Sequence, residues 1–425
     1  MDTISVAVSC PIDTYSGYGA RARDFVKALL KDKKYDVKIL SQRWGNTRFG
    51  YLTDHNEDDL MSRIVANLSE KPDIWIQVTV PNEFQPVGKY NIGLTAGMET
   101  TLVHSSWIEG CNRMDLILTS SNHSKNTFLN TVYEIKDKNT NQPSGTLKIE
   151  KPIEVLLEGA DLTKYTDKAK TSIDLSNITE NFCYLSVGHW MQGDFGQDRK
   201  NIGYTIKSFL EAFKNKSNAP ALILKTQKVG TSIMDREAVL DKIESIRRTV
   251  NGKLPNVYLL HGEISDDEMN ALYNHSKVKV MVSHAKGEGF GRPLLEFALS
   301  GKPIIASGWS GQTDFLKPDM SILIGGTLEN VHSSAVQKDM ILSEAKWFKP
   351  DDVEVSKAYK ETFKRYKNYS VLGKKQKHFI KNNFGFDNMV DTLHKFLDQY
   401  LPEFPKQINL QLPKLNLPKL EKANG

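Results

Sequence analysis

Cysteine is scarce in this sequence, and its spacing excludes two kinds of site. The 425 residues contain three cysteines, Cys10, Cys111 and Cys183, which are far apart and form no C-x-x-C pair. An odd number of separated thiols argues against a disulfide framework and against a thiolate zinc site. We therefore expect three reduced cysteines.

Long hydrophobic runs and a strong excess of one charge are also missing. No run approaches the roughly 18 apolar residues that a membrane-spanning helix needs, and the first ten residues lack the basic start of a secretory signal. We expect a cytoplasmic protein without a membrane span. The 56 basic and 51 acidic residues leave a net charge of +5, which is too small to indicate a nucleic-acid partner by itself.

What the sequence does contain is a repeated alternation of short β-branched runs with helical patterns, which is typical of parallel α/β folds. Strands are predicted at 116–119, 221–225 and 278–283, a helix at 202–213 and a polar loop at 136–144. The alternation weakens over 161–181 and then restarts. We therefore predict two Rossmann-like doubly wound domains, an N-terminal one over 1–165 and a C-terminal one over 180–375. A crossover helix follows at 376–400 and packs back towards the first domain. The last segment, 401–425, repeats Leu-Pro-Lys-Leu and is predicted to be an extended tail.

A first glycine motif follows the first predicted strand. Gly17 and Gly19 belong to a G-x-G-x-x-A pattern, which is compatible with dinucleotide binding. The strand ends near Ser9, however, so the glycines come too late for the tight turn of a dinucleotide site. The second strand also ends without the acidic residue that would bind a ribose. An NAD(P)-dependent oxidoreductase thus remains a remote alternative, and we expect this turn to approach a phosphate or sugar instead.

The segment 283–314 is the most informative one. It places Glu288 and Glu296 around a glycine-rich turn and a helix start that Pro293 favours. Gly287, Gly289 and Gly291 of this turn are expected to free the backbone for close approach to a ligand. Carboxylates there accept hydrogen bonds from sugar hydroxyls, while free backbone amides attract phosphate. The pattern is therefore suited to a ligand that contains both groups, such as a nucleotide sugar.

This segment resembles a known signature. E-G-F-G-x-P-x-L-E at 288–296, followed by A-x-x-G-x-P-I-I-A-S at 298–307, is similar to the E-x7-E motif of retaining glycosyltransferase family 4. Weaker similarity includes the glycine turn at 16–26, E-G-A-D at 158–161 and S-V-G at 186–188. The resemblance implies a GT-B fold, with a cleft between two Rossmann-like domains and a C-terminal crossover helix.

The resemblance also implies roles for particular residues. Glu288 would contact the donor sugar and Glu296 the ribose, while Arg199 and Lys200 would hold the diphosphate. Glu99 is the polar residue nearest to the position of an N-domain histidine that the family often has. It is therefore a further candidate for a catalytic residue. The remaining candidates for donor binding are Gly17, Gly19, His189, Gly289, Phe290, Gly291 and Arg292. Asp314 takes the place of a glutamate that the family often has after the second glycine turn.

The implied function is retaining transfer of a sugar from a UDP- or GDP-sugar to a hydroxyl, with no obligatory metal or cofactor. The leaving phosphate oxygen would take the acceptor proton. The acceptor is a glycan, a lipid-linked molecule or a protein in the leading interpretation. The alternative acceptor is a hydroxymethylated base of DNA, as for phage-encoded glycosyltransferases. Arg21, Arg23, Lys27, Arg43 and Arg48, on the expected acceptor side, are the basic residues that this alternative would use. The oligomeric state stays open.

Overall fold

The computed structural model describes residues 3–228 and 230–404. Its first sheet has six parallel strands in the order β2-β1-β3-β4-β5-β8. These strands are β1 (Ile4–Cys10), β2 (Tyr35–Ser41), β3 (Ile74–Val78), β4 (Tyr90–Leu94), β5 (Leu116–Thr119) and β8 (Ile153–Val155). In the sequence, a separate antiparallel hairpin follows β5 and precedes β8. It consists of β6 (Tyr133–Lys136) and β7 (Pro143–Leu147).

The second sheet is also six-stranded and parallel, in the order β11-β10-β9-β12-β13-β14. Its strands are β9 (Cys183–Val187), β10 (Ala221–Lys225), β11 (Val257–Leu260), β12 (Val278–Ser283), β13 (Ile304–Ser307) and β14 (Ile322–Ile324). A second antiparallel hairpin follows, formed by β15 (Gly326–Asn330) and β16 (Lys346–Pro350). The two sheets confirm the predicted α/β class with two doubly wound units. We call each sheet, together with the helices that cover it, a layer.

Helices connect the strands and cover the sheets. Those of the first layer are α1 (Gly17–Leu29), α2 (Tyr51–Asp54), α3 (Asp58–Met61), α4 (Ser105–Asn112) and α5 (Asn122–Asn130). The second layer has α6 (Ile202–Phe213), α7 (Ile233–Arg247), α8 (Asp266–Asn274) and α9 (Arg292–Ala298). Three more helices end the described chain, namely α10 (Asp352–Lys364), α11 (Tyr366–Asn383) and α12 (Phe386–Tyr400). None of the described helices is both long and apolar enough for a bilayer crossing.

The last helix returns to the first sheet. Met389, Leu393 and Leu397 repeat at helical spacing on α12, and all three are buried in the core formed by β1–β4 and α1. The preceding helix, α11, packs against α9 of the second layer. The chain thus crosses from one layer to the other near Gly385. Of the predicted extended tail, residues 405–425 lie outside the described residues.

Both sheets place loops at the point where the strand order reverses. In the second sheet this point lies between β9 and β12, and in the first it lies between β1 and β3. Loops that leave the carboxyl ends of adjacent strands on opposite sides of such a point form a crevice, which is the usual ligand site in parallel α/β sheets. The loops after β9 and β12 carry Arg199, Lys200 and Glu288.

Candidate functional site

Glu288 forms an ion-pair cluster with the two predicted diphosphate-binding residues. Lys200 Nζ lies 2.6 Å from Glu288 Oε1, and Arg199 Nη1 lies 3.3 Å from Oε2. Glu288 is only 7% exposed. The structure thus brings together residues from the β9 and β12 loops that are 88 or more positions apart.

Arg199 also connects this cluster to the first layer. Its Nη1 donates a hydrogen bond to the Gly287 carbonyl at 2.9 Å and lies 3.4 Å from Glu99 Oε1. Glu99 follows β4 of the first sheet, so the contact spans the interface between the two layers. Both layers therefore contribute charged groups to one cluster.

Two acidic and two basic side chains balance each other in this cluster. Burial opposes ionisation of Glu288, but the charges of Lys200 and Arg199 outweigh it and hold the pKa of Glu288 below its usual value. The carboxylate therefore stays ionised at neutral pH. A ligand anion that binds Arg199 and Lys200 would have to compete with Glu99 and Glu288 for them.

Two glycines of the turn pack closely against the first layer. We expected Gly287 and Gly289 to allow close approach of a ligand, but a Cβ on either would clash with the Glu99 or Ala96 carbonyl oxygen of the first layer. The turn is thus packed against the neighbouring layer in this structure. Gly291 adopts φ +100° as the N-cap of α9, a conformation that favours glycine, and Pro293 lies in the first turn of that helix as predicted.

Glu296 belongs to a second charged cluster, centred on Arg292. Arg292 Nε donates to Glu296 Oε1 at 2.9 Å, and its Nη1 lies 2.6 Å from Asp24 Oδ2 and 3.3 Å from Glu158 Oε2. One guanidinium is therefore shared by three carboxylates. Burial, reinforced by repulsion from Asp266 and Glu158, raises the pKa of Glu296 to about 7 despite the attraction of Arg292.

The other candidates for donor binding occupy varied environments. The Phe290 side chain is 3% exposed and packs in the core with its ring centroid 5.0 Å from that of Phe315, so its ring is not available to a ligand. A Cβ at Gly19 would clash with the Thr14 carbonyl oxygen, so this glycine allows the first turn of α1 to pack closely against the preceding loop. Gly17 has open space around it. His189 is exposed, and its Nδ1 lies 3.3 Å from the Lys228 carbonyl oxygen.

Sequence reasoning missed two residues that shape the site. The hydroxyl of Tyr18, which stands between the two glycines of the first motif, accepts a hydrogen bond from the Ala96 amide and contacts Thr95 Oγ1, both at 3.1 Å. Ser310 Oγ accepts a hydrogen bond from the Glu288 amide at 2.9 Å. The sequence signal for Tyr18 was its position within the first glycine motif. Ser310 had no signal other than its position within the second glycine turn, at 308–311.

The expectation that no metal is required rests on the sequence. Among residues 3–228 and 230–404, no three His, Cys, Asp or Glu side chains are grouped in a way that would hold a metal ion.

Asp314, which stands where the family often has a glutamate, contacts the first layer. It accepts hydrogen bonds from the amide and side chain of Asn122, at 2.8 and 3.2 Å, across the layer interface.

Comparison with known proteins connects this geometry to a function. Residues 206–339, which include Glu288 and Glu296, match the family model "Glycosyl transferases group 1". A search of curated protein sequences found no match.

Solved structures resemble the chain over most of its length. Anabaena HepE with UDP and glucose is 12% identical, with a TM-score of 0.54, and the alignment covers 93% of this chain and 100% of HepE. Sucrose-phosphate synthase from Thermosynechococcus elongatus is 11% identical, with a TM-score of 0.59, over 93% and 98% of the two chains. A glycosyltransferase from Rickettsia africae is 12% identical, with a TM-score of 0.59, over 94% and 99%. The shared architecture is the GT-B fold, and with a group 1 domain at 206–339 the chain is a glycosyltransferase.

Proposed function

We propose that this enzyme transfers a sugar from a nucleotide-diphosphate sugar, with UDP as the first choice of nucleotide, to a hydroxyl acceptor with retention of the anomeric configuration. The cluster of Glu288, Lys200 and Arg199 is the observation that carries the proposal. Anabaena HepE, which shares the fold, has been solved with UDP-glucose. That likeness supports UDP over GDP as the first nucleotide to test.

The two cations suit the chemistry of the donor. When the bond between the anomeric carbon and the phosphate oxygen breaks, negative charge develops on the departing diphosphate. The buried Glu288 holds Arg199 and Lys200 beside each other, so both cations can stabilise this charge once the diphosphate replaces part of their pairing with Glu288 and Glu99. The departing oxygen takes the proton of the acceptor hydroxyl, whose oxygen bonds to the anomeric carbon from the same face.

The carboxylates supply orientation. Glu288 would accept hydrogen bonds from hydroxyls of the donor sugar, and Glu296 from the ribose. Glu99 contributes a negative charge from the opposite side of the cleft, 3.4 Å from Arg199. This charge would favour positive charge that develops at the anomeric carbon.

The contacts of the basic residues favour a glycan, lipid-linked or protein acceptor over DNA. Arg21 and Arg23 are 1% and 6% exposed, so they are not available to phosphates in solution. Lys27 pairs with Glu57, and Arg48 pairs with Asp54 and Glu263. Of the five basic residues that DNA binding would use, Arg43 alone is both exposed and without an acidic partner among the described residues. One free cation is a weak basis for binding a polyanion.

Proton NMR of donor hydrolysis tests the donor and the stereochemistry together. With UDP-α-glucose we expect α-glucose as the first anomer released, and a faster reaction than with GDP-α-glucose. Lys200→Ala should lower the rate at least tenfold, while Lys216→Ala, an exposed lysine outside the cluster, should leave it unchanged. Release of β-glucose first would overturn retention, and equal rates for wild type and Lys200→Ala would overturn the role of the cluster.

A further inference from the structure

A cavity of about 660 Å³ lies in the second layer, between α6, α10 and the β15–β16 hairpin. We propose that it is a binding site for a small phosphorylated sugar, distinct from the donor cleft. Its volume lies within the range of pockets that hold small molecules. The cations, an unsatisfied acceptor and an exposed aromatic ring in its lining define the chemistry of the ligand.

Three lysines in the lining supply the affinity for an anion. Lys286, 2% exposed, forms an ion pair with Glu329. Lys207 and Lys349 also line the cavity, and neither has an ion-pair partner within the part of the chain that the structure describes. The lining also holds three carboxylates, and each has a partner: Glu211 pairs with Lys214, Glu329 pairs with Lys286, and Asp352 accepts a hydrogen bond from the Tyr204 hydroxyl. Lys207 and Lys349 are thus left to bind an anion, and two ammonium groups favour a doubly charged group such as phosphate.

A buried acceptor in the lining lacks a partner. Asn201 is 2% exposed, and its amide nitrogen donates to the His284 carbonyl at 3.1 Å, whereas its Oδ1 has no hydrogen-bond partner in the described structure. An unsatisfied buried oxygen costs free energy. A ligand hydroxyl that donates to Asn201 Oδ1 would remove this cost.

An exposed aromatic ring completes the lining. Phe195 is 51% exposed although it is large and apolar, and its ring faces Lys207, whose Nζ lies 5.5 Å from the ring centroid. The apolar face of a sugar ring packs well on such a surface. Phosphate for the lysines, a hydroxyl for Asn201 and an apolar face for Phe195 together specify a phosphorylated sugar.

The cavity shares structural segments with the donor cleft. Asn201 directly follows Arg199 and Lys200, and the Lys286 amide donates to the Arg199 carbonyl at 2.8 Å. A ligand that fixes Asn201 and Lys286 therefore contacts the two chain segments that position Arg199 and Lys200. Any coupling between the two sites would be reciprocal.

Isothermal titration calorimetry with ribose 5-phosphate tests the site, and inorganic phosphate and ribose serve as partial ligands. We expect saturable binding of ribose 5-phosphate that exceeds binding of either partial ligand. The double variant Lys207→Ala/Lys349→Ala should weaken it at least about tenfold, as expected for the loss of two accessible charge pairs. Phe195→Ala should weaken binding of ribose 5-phosphate but leave binding of inorganic phosphate unchanged.

Two controls separate this site from the cleft and from general charge effects. Lys216→Ala/Lys367→Ala removes two exposed lysines away from the cavity, and Lys200→Ala alters the donor cluster. Both should retain binding. The proposal is overturned if wild type shows no binding at millimolar concentration, if inorganic phosphate binds as well as the sugar phosphate, or if binding depends on Lys200 and not on Lys207 and Lys349.

Discussion

Arg199 Nη1 lies 3.4 Å from Glu99 Oε1, and this ion pair joins a loop of the second sheet to a loop of the first. Both side chains are largely shielded from solvent, at 14% and 26% exposure, so salt screens the contact less than it screens a surface pair. A diphosphate that binds Arg199 would meet Glu99 as a competing anion. The same ion pair thus links the contact between the two layers to the binding of the donor.

Glu99→Gln should therefore strengthen the binding of UDP. The substitution removes a negative charge beside Arg199 and keeps the size of the side chain. We expect the dissociation constant, measured by calorimetry, to fall about threefold to tenfold, the size expected for one partly screened charge contact. Glu109→Gln, an exposed substitution on α4, should leave it unchanged. Weaker binding of UDP to Glu99→Gln would show that Glu99 assists binding of the nucleotide.

The Lys200–Glu288 pair should show strong thermodynamic coupling. Lys200→Met leaves the buried Glu288 carboxylate with Arg199 alone, so we expect the free energy of unfolding to fall by about 3 kcal/mol. Adding Glu288→Gln removes the uncompensated charge and should recover about 2 kcal/mol of that loss. Urea denaturation of the wild type, both single variants and the double variant measures the coupling.

An exposed ion pair provides the matched control for this cycle. Lys214 and Glu211 lie 2.6 Å apart, as close as Lys200 and Glu288, but their side chains are 37% and 43% exposed. The same substitutions there should give a coupling energy of less than about 0.5 kcal/mol. Equal coupling in the two cycles would contradict the argument that burial strengthens the Lys200–Glu288 pair.

Much of the fold was predictable because its parallel strands are short apolar runs. The bounds of β5, β10, β12 and α6 agree with the sequence prediction. The β15–β16 hairpin was not predicted, because Lys346–Pro350 mixes aromatic and basic residues without a clear period. The region 136–144, predicted as a loop, is largely the connection of the β6–β7 hairpin.

The charged clusters were only half predictable. The glycine-rich motif identified Glu288 and its partners because the residue types themselves imply the chemistry. Arg292 was expected near the donor, but its ion pairs with Asp24 and Glu158 link positions 268 and 134 residues apart. No local pattern encodes such contacts. For the same reason, the packing of Gly287 against Glu99 could not be distinguished from an approach to a ligand.

Gly287→Ala should disturb the contact between the layers while leaving each layer folded. The new methyl group would meet the Glu99 backbone, which cannot move as freely as the end of a side chain. We expect a larger radius of gyration in small-angle X-ray scattering, with an unchanged far-UV circular dichroism spectrum. Gly230→Ala is the control, because a Cβ there meets nothing within 4 Å. An unchanged radius of gyration for Gly287→Ala would mean that the interface accommodates the methyl group.

Glu296 should make stability depend on pH in a direction opposite to that of most carboxylates. Its pKa is raised from 4.5 to about 7 in the folded state, so the folded protein binds a proton more tightly than the unfolded chain does. The stabilisation is present at low pH and is lost as pH rises from about 4.5 to about 7.

Glu296→Gln removes this titration and retains an oxygen that accepts from Arg292. The variant should therefore gain stability relative to wild type as pH rises through this window, by up to about 3 kcal/mol at pH 8. Urea denaturation at pH 5 and pH 8 measures the difference, with Glu237→Gln on the exposed face of α7 as the control. If the difference between Glu296→Gln and wild type stays constant with pH, the carboxylate is already ionised throughout and Arg292 outweighs its burial.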